Sequence, residues 1–390
     1  MARFGAGAGM SATAAILDSV ETFLTRRLPP AEIRRRDAGH IPPYDLMPEM
    51  GAAGFFALAV PEDEGGLGAD WATIALVQEK LGQHAYMVAS IFNRVVGFGL
   101  MSLRSYGSPA QRRTLLPLLM SGEAFCALGL TEPQAGSDAA AIRTRATRHG
   151  DGWRITGRKI WISDARQARW LILPARTGEE REGHRGITLF LVPTDTPGIA
   201  MTALPKIGNN CMPSFDIGLQ DVEVPADALL GEEGRGFAHL MSTLHYSRAS
   251  MAATVTGAAE AALQIALAHA RGRVQFGRPI GQFQAIAHRL ADMRMRVDLS
   301  RLMVRHLAQL ISADTPCRRE AAQAKIIATE TLRDVTDAGM QILASAGYAA
   351  ESDLQRLWRD SRLYTFGEGA NEVLRDSIAR DLGLKAGAGA

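Results

Sequence analysis

The sequence predicts a mainly α-helical protein in three parts: an N-terminal all-helical domain, a central antiparallel β-domain and a C-terminal helical bundle. Three observations carry this. Apolar residues recur at three- and four-residue spacing up to about residue 122, short β-rich runs follow, and the helical period then returns over long stretches. The divisions fall at 1–124, 125–236 and 237–390, and 390 residues is too long for one small core.

In the first part Ile16, Val20, Phe23 and Leu24, then Ile74, Leu76, Val77 and Leu81, mark helical faces. Pro42-Pro43, the loop 61–68 and Gly107-Ser108 separate them. The second part holds runs at 153–156, 170–173 and 187–192, with a far edge through 215–217 and 222–224. In the third part helices are expected over 237–270, 282–311 and 318–346, with two shorter pieces ending near Leu382. Long helices with short connections suggest an antiparallel bundle. No βαβ repetition supports a Rossmann sheet, so a nicotinamide enzyme of the usual kind is disfavoured. The Gly/Ala tracts GAGAGM and KAGAGA at the two ends are expected to fray.

The 43 Lys and Arg are interleaved with 41 Asp and Glu, for a net charge of +2, so nucleic acid is an unfavoured partner. Cys126, Cys211 and Cys317 are far apart, odd in number and outside any metal-ligand spacing, which fits a reducing compartment and no metal site. No apolar leader and no run of eighteen apolar residues occurs, so a soluble, cytoplasmic enzyme with no membrane span is expected.

Chemistry is written in four segments. Residues 128–138, LGLTEPQAGSD, run a strand into a Pro/Gly turn that exposes backbone N–H groups and the Thr131 and Ser137 hydroxyls. Alone it also reads as a plain β-turn. Residues 157–164, GRKIWISD, place Trp161 and Ser163 on one strand face by alternation. An indole and a hydroxyl two apart suit a flat heteroaromatic ring, or are ordinary core and surface residues. The remaining segments are 273–284, RVQFGRPIGQFQ, and 359–372, RDSRLYTFGEGANE. In the last, Glu368 is flanked by Gly367 and Gly369, whose missing side chains let a carboxylate approach a ligand closely. The same pattern also describes a solvated loop.

Together the segments resemble the acyl-CoA dehydrogenase family, which carries a TEPxxGSD turn, a KxWITN-like strand, an RxQFGxPIxxFQ element and an RDAxxxxIxEGTxEI terminus in this order over the whole chain. The resemblance implies N-terminal helices, a β-barrel-like middle domain and a C-terminal four-helix bundle, assembled as a homotetramer, a dimer of dimers. It implies FAD as cofactor. Leu128, Leu130, Thr131, Gly136 and Ser137 would line the flavin and its pyrophosphate, with Trp161 and Ser163 near N5. Arg273, Gln284, Gln341 and Ser345 would reach the adenosine-diphosphate half of a neighbouring subunit's FAD, with Gln275, Phe276, Ile280, Phe283, Ala370 and Glu372 completing the cofactor set. A guanidinium fork such as Arg273 pairs bidentately with diphosphate oxygens.

Under this resemblance Glu368 is the general base that takes the α-proton of an acyl thioester, and flavin N5 accepts the β-hydrogen as hydride. Apolar burial would raise the Glu368 pKa toward neutrality. Ser137, Leu244, His245, Arg248, Gly367 and Gly369 would bound the substrate. Arg94 would face the acyl end and read a carboxylate-bearing substrate, or form a salt bridge with Glu79. Acyl-CoA is favoured over acyl carrier protein, and an electron-transfer flavoprotein is the acceptor, in fatty acid or amino acid catabolism. Four departures stand out: Ala370 replaces Thr, Ala344-Ser345 replaces Gly-Gly, Ser163-Asp164-Ala165 replaces Thr-Asn-Gly, and His245 stands where a pantetheine-contacting Asp is common, while Arg248 matches. Two alternatives are an oxidase or monooxygenase on the same fold and a non-catalytic binding or assembly homologue.

Overall fold

The computed structural model describes residues 6–384. The first part folds as α1 (Ala6–Arg27), α2 (Pro30–Gly39), α3 (Met47–Ala52), α4 (Trp71–His84), α5 (Tyr86–Asn93), α6 (Met101–Tyr106) and α7 (Pro109–Met120). Local chemistry sets their starts. The Asp70 carboxylate accepts the Thr73 N–H at the head of α4, and Ser108 and Gln111 form a reciprocal capping box on α7 with Pro109 in its first turn. Between α5 and α6 the stretch Arg94–Leu100 is π-helical, so Tyr86–Tyr106 is one helical rod with a widened turn in the middle. Residues 6–10 of the GAGAGM tract continue α1 instead of fraying, whereas KAGAGA lies outside the described residues.

The middle part holds β1 (Cys126–Leu128), β2 (Arg145–His149), β3 (Gly152–Ser163), β4 (Trp170–Arg176), β5 (Ile187–Pro193), β6 (Ile199–Leu204) and β7 (Ser214–Val224). They form a curled sheet in the order β1-β4-β2-β3-β7-β6, with β5 pairing on β4. Pairing is antiparallel except for β1 with β4 and a single β2–β4 register, which are parallel. The expected far edge at 215–217 and 222–224 is one continuous strand, β7, and β6 covers it.

The third part comprises α8 (Gly236–Gly272), a hairpin of β8 (Val274–Gln275) and β9 (Arg278–Pro279), α9 (Gln284–Ser312), α10 (Arg318–Leu343), α11 (Ser345–Tyr348), α12 (Asp353–Tyr364) and α13 (Asn371–Asp381). One helix ends earlier than the expected 318–346, because Ala344 adopts φ 52 and ψ −131 and cannot continue α10. α8 and the rod Tyr86–Tyr106 are long and apolar enough for a membrane span, but 72% and 89% of those windows are buried, so both are core helices.

α8 is the axis of the molecule. Residues 249–259 on it are buried on every side, and small residues dominate: Ala249, Ser250, Ala252, Ala253, Gly257, Ala258 and Ala259. This composition allows the backbones of α4 and α8 to touch. A Cβ on Gly82 would sit 2.1 Å from the Thr254 carbonyl oxygen, and one on Gly257 would sit 2.0 Å from that of Glu79. Buried Gln78 then bridges the crossing, donating to Thr254 Oγ1 at 2.7 Å and to the Ala89 carbonyl at 2.8 Å. One apolar core runs from Val20 of α1 through Leu171 of β4 and Val255 of α8 to Leu357 of α12.

The φ/ψ pair at Ala344 belongs to glycine territory and stores about 1–3 kcal/mol of strain. The unfolded chain of an Ala344→Gly variant is more flexible by about 0.4–1 kcal/mol, which offsets part of the relief. The expected result is a higher thermal midpoint, read by calorimetry; a lower midpoint would show that the Ala344 methyl makes packing contacts worth more than the strain.

Candidate active site

α12 and α13 are joined by residues 365–370, and this connection carries Glu368. Backbone hydrogen bonds close it at both ends: Gly367 N–H donates to the Leu363 carbonyl at 2.8 Å, and Asn371 N–H to that of Thr365 at 2.9 Å. The chain reverses through two left-handed residues, Glu368 at φ 54 and Gly369 at φ 99. Glycine at 369 therefore answers a backbone requirement as well as leaving room beside the carboxylate. Left-handed Glu368 costs about 1–2 kcal/mol and is held there by its surroundings.

Those surroundings come from three helices. Ser247 Oγ on α8 donates to Glu368 Oε2 at 2.6 Å, and Asn93 Nδ2 at the end of α5 lies 3.4 Å from Oε1. Arg248, the next residue of α8, lies with Nε and Nη2 each 3.4 Å from the Glu368 backbone oxygen. Lys325 Nζ on α10 donates to the Gly369 carbonyl at 2.8 Å. Burial raises the Glu368 carboxyl above the usual range, against the Ser247 hydrogen bond and the charges of Arg94, Arg248 and Lys325.

Consecutive residues on the Tyr86–Tyr106 rod connect this carboxylate to the end of β3. Asn93 faces Glu368, while Arg94 donates from Nε to Asp164 Oδ2 at 2.6 Å and from Nη2 to Met212 Sδ at 2.9 Å. Asp164 is buried, sits at φ 60 just past Trp161 and Ser163, and accepts the Tyr44 hydroxyl at 2.7 Å. The anticipated Arg94–Glu79 bridge does not form: Glu79 pairs with Arg301 at 2.6 Å. Glu79 lies on α4, facing the α8–α9 side, and the π-helical turn directs Arg94 to the β-domain instead.

The TEPQAGSD turn is built on a buried ion pair. Lys159 Nζ on β3 contacts Glu132 Oε1 at 2.8 Å, the Pro174 carbonyl at 2.8 Å and the Leu130 carbonyl at 3.3 Å. Glu132 also accepts the backbone N–H groups of Arg143 and Thr144. Every oxygen and proton of the pair thus has a partner, the condition under which a buried pair is tolerated. Thr131 is tied to β3 through its carbonyl, which accepts the Ile160 N–H at 2.9 Å. Leu128, Leu130 and Thr131 are half-buried, Ser137 is exposed, and a Cβ on Gly136 would meet nothing within 4 Å. Beside them Trp161 is 54% exposed in a left-handed conformation, φ 61. The β3–β7 register slips between Lys159 and Ile162, which places a bulge at the indole, and burial across the strand end runs exposed at Trp161, buried at Ile162 and half-buried at Ser163.

The bundle residues lie on the surface of the single chain. Arg273, Gln275, Gln284, Gln341 and Ser345 are exposed, Ile280 and Phe283 are half-buried, and Phe276 at the hairpin tip is 93% exposed. Gln341 lines a cavity of about 600 Å³ between α9 and α10 with Ile286, Arg289 and Asp337. Ala370 starts α13 without a side-chain cap, and Glu372 follows in its first turn. On α8, Leu244 is buried, and half-buried His245, its pKa lowered by burial, packs on Tyr246. Reading the motifs alone missed Asn93, Lys159, Asp164 and Lys325 as partners, and singled out Arg248 but not Ser247.

These residues fit a flavin dinucleotide. An exposed indole on a strained strand offers a flat face, the open Gly136 turn leaves room for a pyrophosphate beside the Ser137 hydroxyl, and the Arg273 fork suits a diphosphate.

Comparisons with known proteins agree with this geometry. Three family models match along the chain: the acyl-CoA dehydrogenase N-terminal domain over 11–123, the middle domain over 127–222 and the C-terminal domain over 234–383. A probable acyl-CoA dehydrogenase of Bacillus subtilis, YngJ, is 38% identical across 94% of this chain and 97% of its own. Butyryl-CoA dehydrogenase from Megasphaera elsdenii superposes with a TM-score of 0.91 at 33% identity, covering 95% of this chain and 97% of that one. A chain from work on the electron transferring flavoprotein of Acidaminococcus fermentans gives 0.91 at 32%, with the same coverage. The prolyl acyl carrier protein oxidase AnaB gives 0.92 at 27%, covering 96% and 99%. The chain belongs to the acyl-CoA dehydrogenase family and is an FAD-dependent oxidoreductase acting on CH–CH groups.

Proposed function

We propose that the protein introduces a 2,3 double bond into an acyl thioester, CoA being the favoured carrier, with Glu368 as the base. The observation that carries this reading is the Glu368 carboxylate, held in a left-handed turn among donors from α5, α8 and α10. Removing a weakly acidic α-proton needs a carboxylate kept from bulk water and fixed in direction. Ser247 fixes Oε2, which leaves Oε1, with only the long Asn93 contact, as the oxygen that takes the proton. Bound FAD supplies the acceptor for the β-hydrogen and its electron pair. Arg248 steadies the Glu368 backbone from the helix that also carries Leu244 and His245, the residues proposed to bound the thioester arm.

Arg94 already has its counter-charge in Asp164, so a second carboxylate at that wall would face Asp164 as well. This favours a neutral acyl group over a dicarboxylic one. Subunits would share cofactor sites, Arg273 and Gln284 reaching a neighbour's FAD in a homotetramer; the bare Phe276 and the outward Leu299 and Leu302 of α9 supply apolar surface for such contacts. An electron-transfer flavoprotein is the proposed acceptor, and the cytoplasm the proposed location.

Anaerobic mixing with a panel of acyl-CoAs tests the reaction and the pocket together. Neutral acyl-CoAs should bleach the flavin stoichiometrically, and faster than acyl groups ending in a carboxylate. Rapid return of the oxidised flavin band on admitting oxygen, with peroxide released, would favour an oxidase, and no bleaching with any thioester would remove the dehydrogenase reading. Arg273→Ala should weaken FAD retention about ten- to a hundredfold, since hydrogen bonds to charged groups contribute roughly 1.5–3 kcal/mol. Unchanged affinity on titration of the apoprotein would take Arg273 out of the cofactor site.

A further inference from the structure

Beneath the Glu368 turn lies a buried cation that the reaction scheme leaves unused. The Lys325 side chain is fully buried on α10, among Ala321, Ala322, Ala324 and Ala328. Its Nζ donates at 2.8 Å to the Gly369 carbonyl and at 2.8 Å to Asn371 Oδ1. Asn371 is itself buried and passes its amide on to Thr329 Oγ1 at 3.1 Å and Glu330 Oε1 at 3.3 Å. The ammonium therefore grips the residue after Glu368 and the first residue of α13.

Holding a loop does not require a charge. A neutral donor does the same work one step away, where the Asn371 N–H closes the turn on Thr365. Desolvating an ammonium costs several kcal/mol, and burial brings Lys325 down to about 8. The groups facing it explain why a cation is kept: Glu368 is the strongest of those that raise its pKa, followed by Glu372 of α13 and Glu330 of its own helix, while Arg248 of α8 opposes them. Glu368 in turn faces Ser247 and Arg248 from α8, Arg94 from the π-helical turn and Lys325 from α10.

We propose that Lys325 is a positioning residue for the base: its hydrogen bonds hold the backbone turn that carries Glu368, and its charge joins those of Arg94 and Arg248 in favouring the ionised carboxylate. This rests on Glu368 being the base. A positive neighbour favours the ionised carboxylate, so its removal raises the Glu368 pKa.

Two variants separate charge from grip. Lys325→Gln keeps an amide donor and loses the charge; Lys325→Met loses both. In the FAD-loaded enzyme, Lys325→Gln should move the acidic limb of flavin reduction upward by about one pH unit, roughly tenfold in rate at a fixed pH on that limb. Above about pH 8, where Lys325 itself loses its proton, parent and variant should converge. Lys325→Met should show the same shift together with a lower alkaline plateau and a lower melting midpoint; if it does not fold, the Gln variant decides. Difference infrared titration of the oxidised enzyme reads the Glu368 carboxyl directly, its band identified by its loss in Glu368→Gln, and should shift in the same direction. A uniform rate loss at every pH with an unmoved Glu368 titration would overturn the proposal and leave Lys325 a structural residue. If Glu368→Gln itself reduces the flavin at the parent rate, the base assignment fails and this inference falls with it.

Discussion

A carboxylate buried among cations and hydrogen-bond donors, Glu368, is the constraint around which this fold is arranged. Burial works against the ionised form and raises the Glu368 carboxyl above its usual range. The chain answers with donors and cations from separate helices: Asn93 from α5, Ser247 and Arg248 from α8, Lys325 from α10. The reciprocal contact of Gly82 and Gly257 against facing backbone brings α4, and with it the Tyr86–Tyr106 rod, onto α8. The small-residue face of α8 thus helps bring Asn93 to Glu368 as well as packing the core.

The β-domain is joined to this centre by polar anchors. Arg94 and Tyr44 converge on buried Asp164 at the end of β3, and Arg359 reaches back from α12 to Asp37 of α2. Asp360 accepts the Asn209 backbone N–H, and the Tyr364 hydroxyl donates to the Asn209 side chain, so α12 is fastened to the segment before β7. The RD pair that opens the 359–372 motif is therefore an anchor, and the carboxylate nine residues on is what it positions. On the far side of β3, the Lys159–Glu132 pair fixes the turn that would cradle the pyrophosphate.

Much of this was legible in the sequence because it is local. The switch from helical to strand period located the three parts, and contiguous motifs located the turn, the indole and Glu368. What was hidden depends on distance along the chain. Ser247 lies 121 residues before Glu368, and nothing in a helical period says which helix will face which loop. Lys325 had one cue, a lone ammonium in the apolar run AAQAKIIA, but spacing cannot tell a buried lysine from one that snorkels. The Arg94 partner, Asp164, lies 70 residues further on in the β-domain, where helical spacing gives no pointer to it. The bulge at Trp161, with its left-handed residue, was equally invisible to spacing. Ala344, which departs from the family's glycine, marks the opposite case: the sequence showed the substitution, and the backbone shows that it carries strain.

Whether Glu368 is the base is the claim on which the account turns, and the isosteric Glu368→Gln variant tests it most directly. Gln fills the same space and can still accept from Ser247, so FAD content and thioester affinity should stay near the parent's. Stopped-flow bleaching of the oxidised flavin by the best acyl-CoA, normalised to bound FAD, should slow by about 10²–10⁴, the usual worth of a general base. Bleaching within about threefold of the parent rate, far inside that range, would show that another group takes the proton.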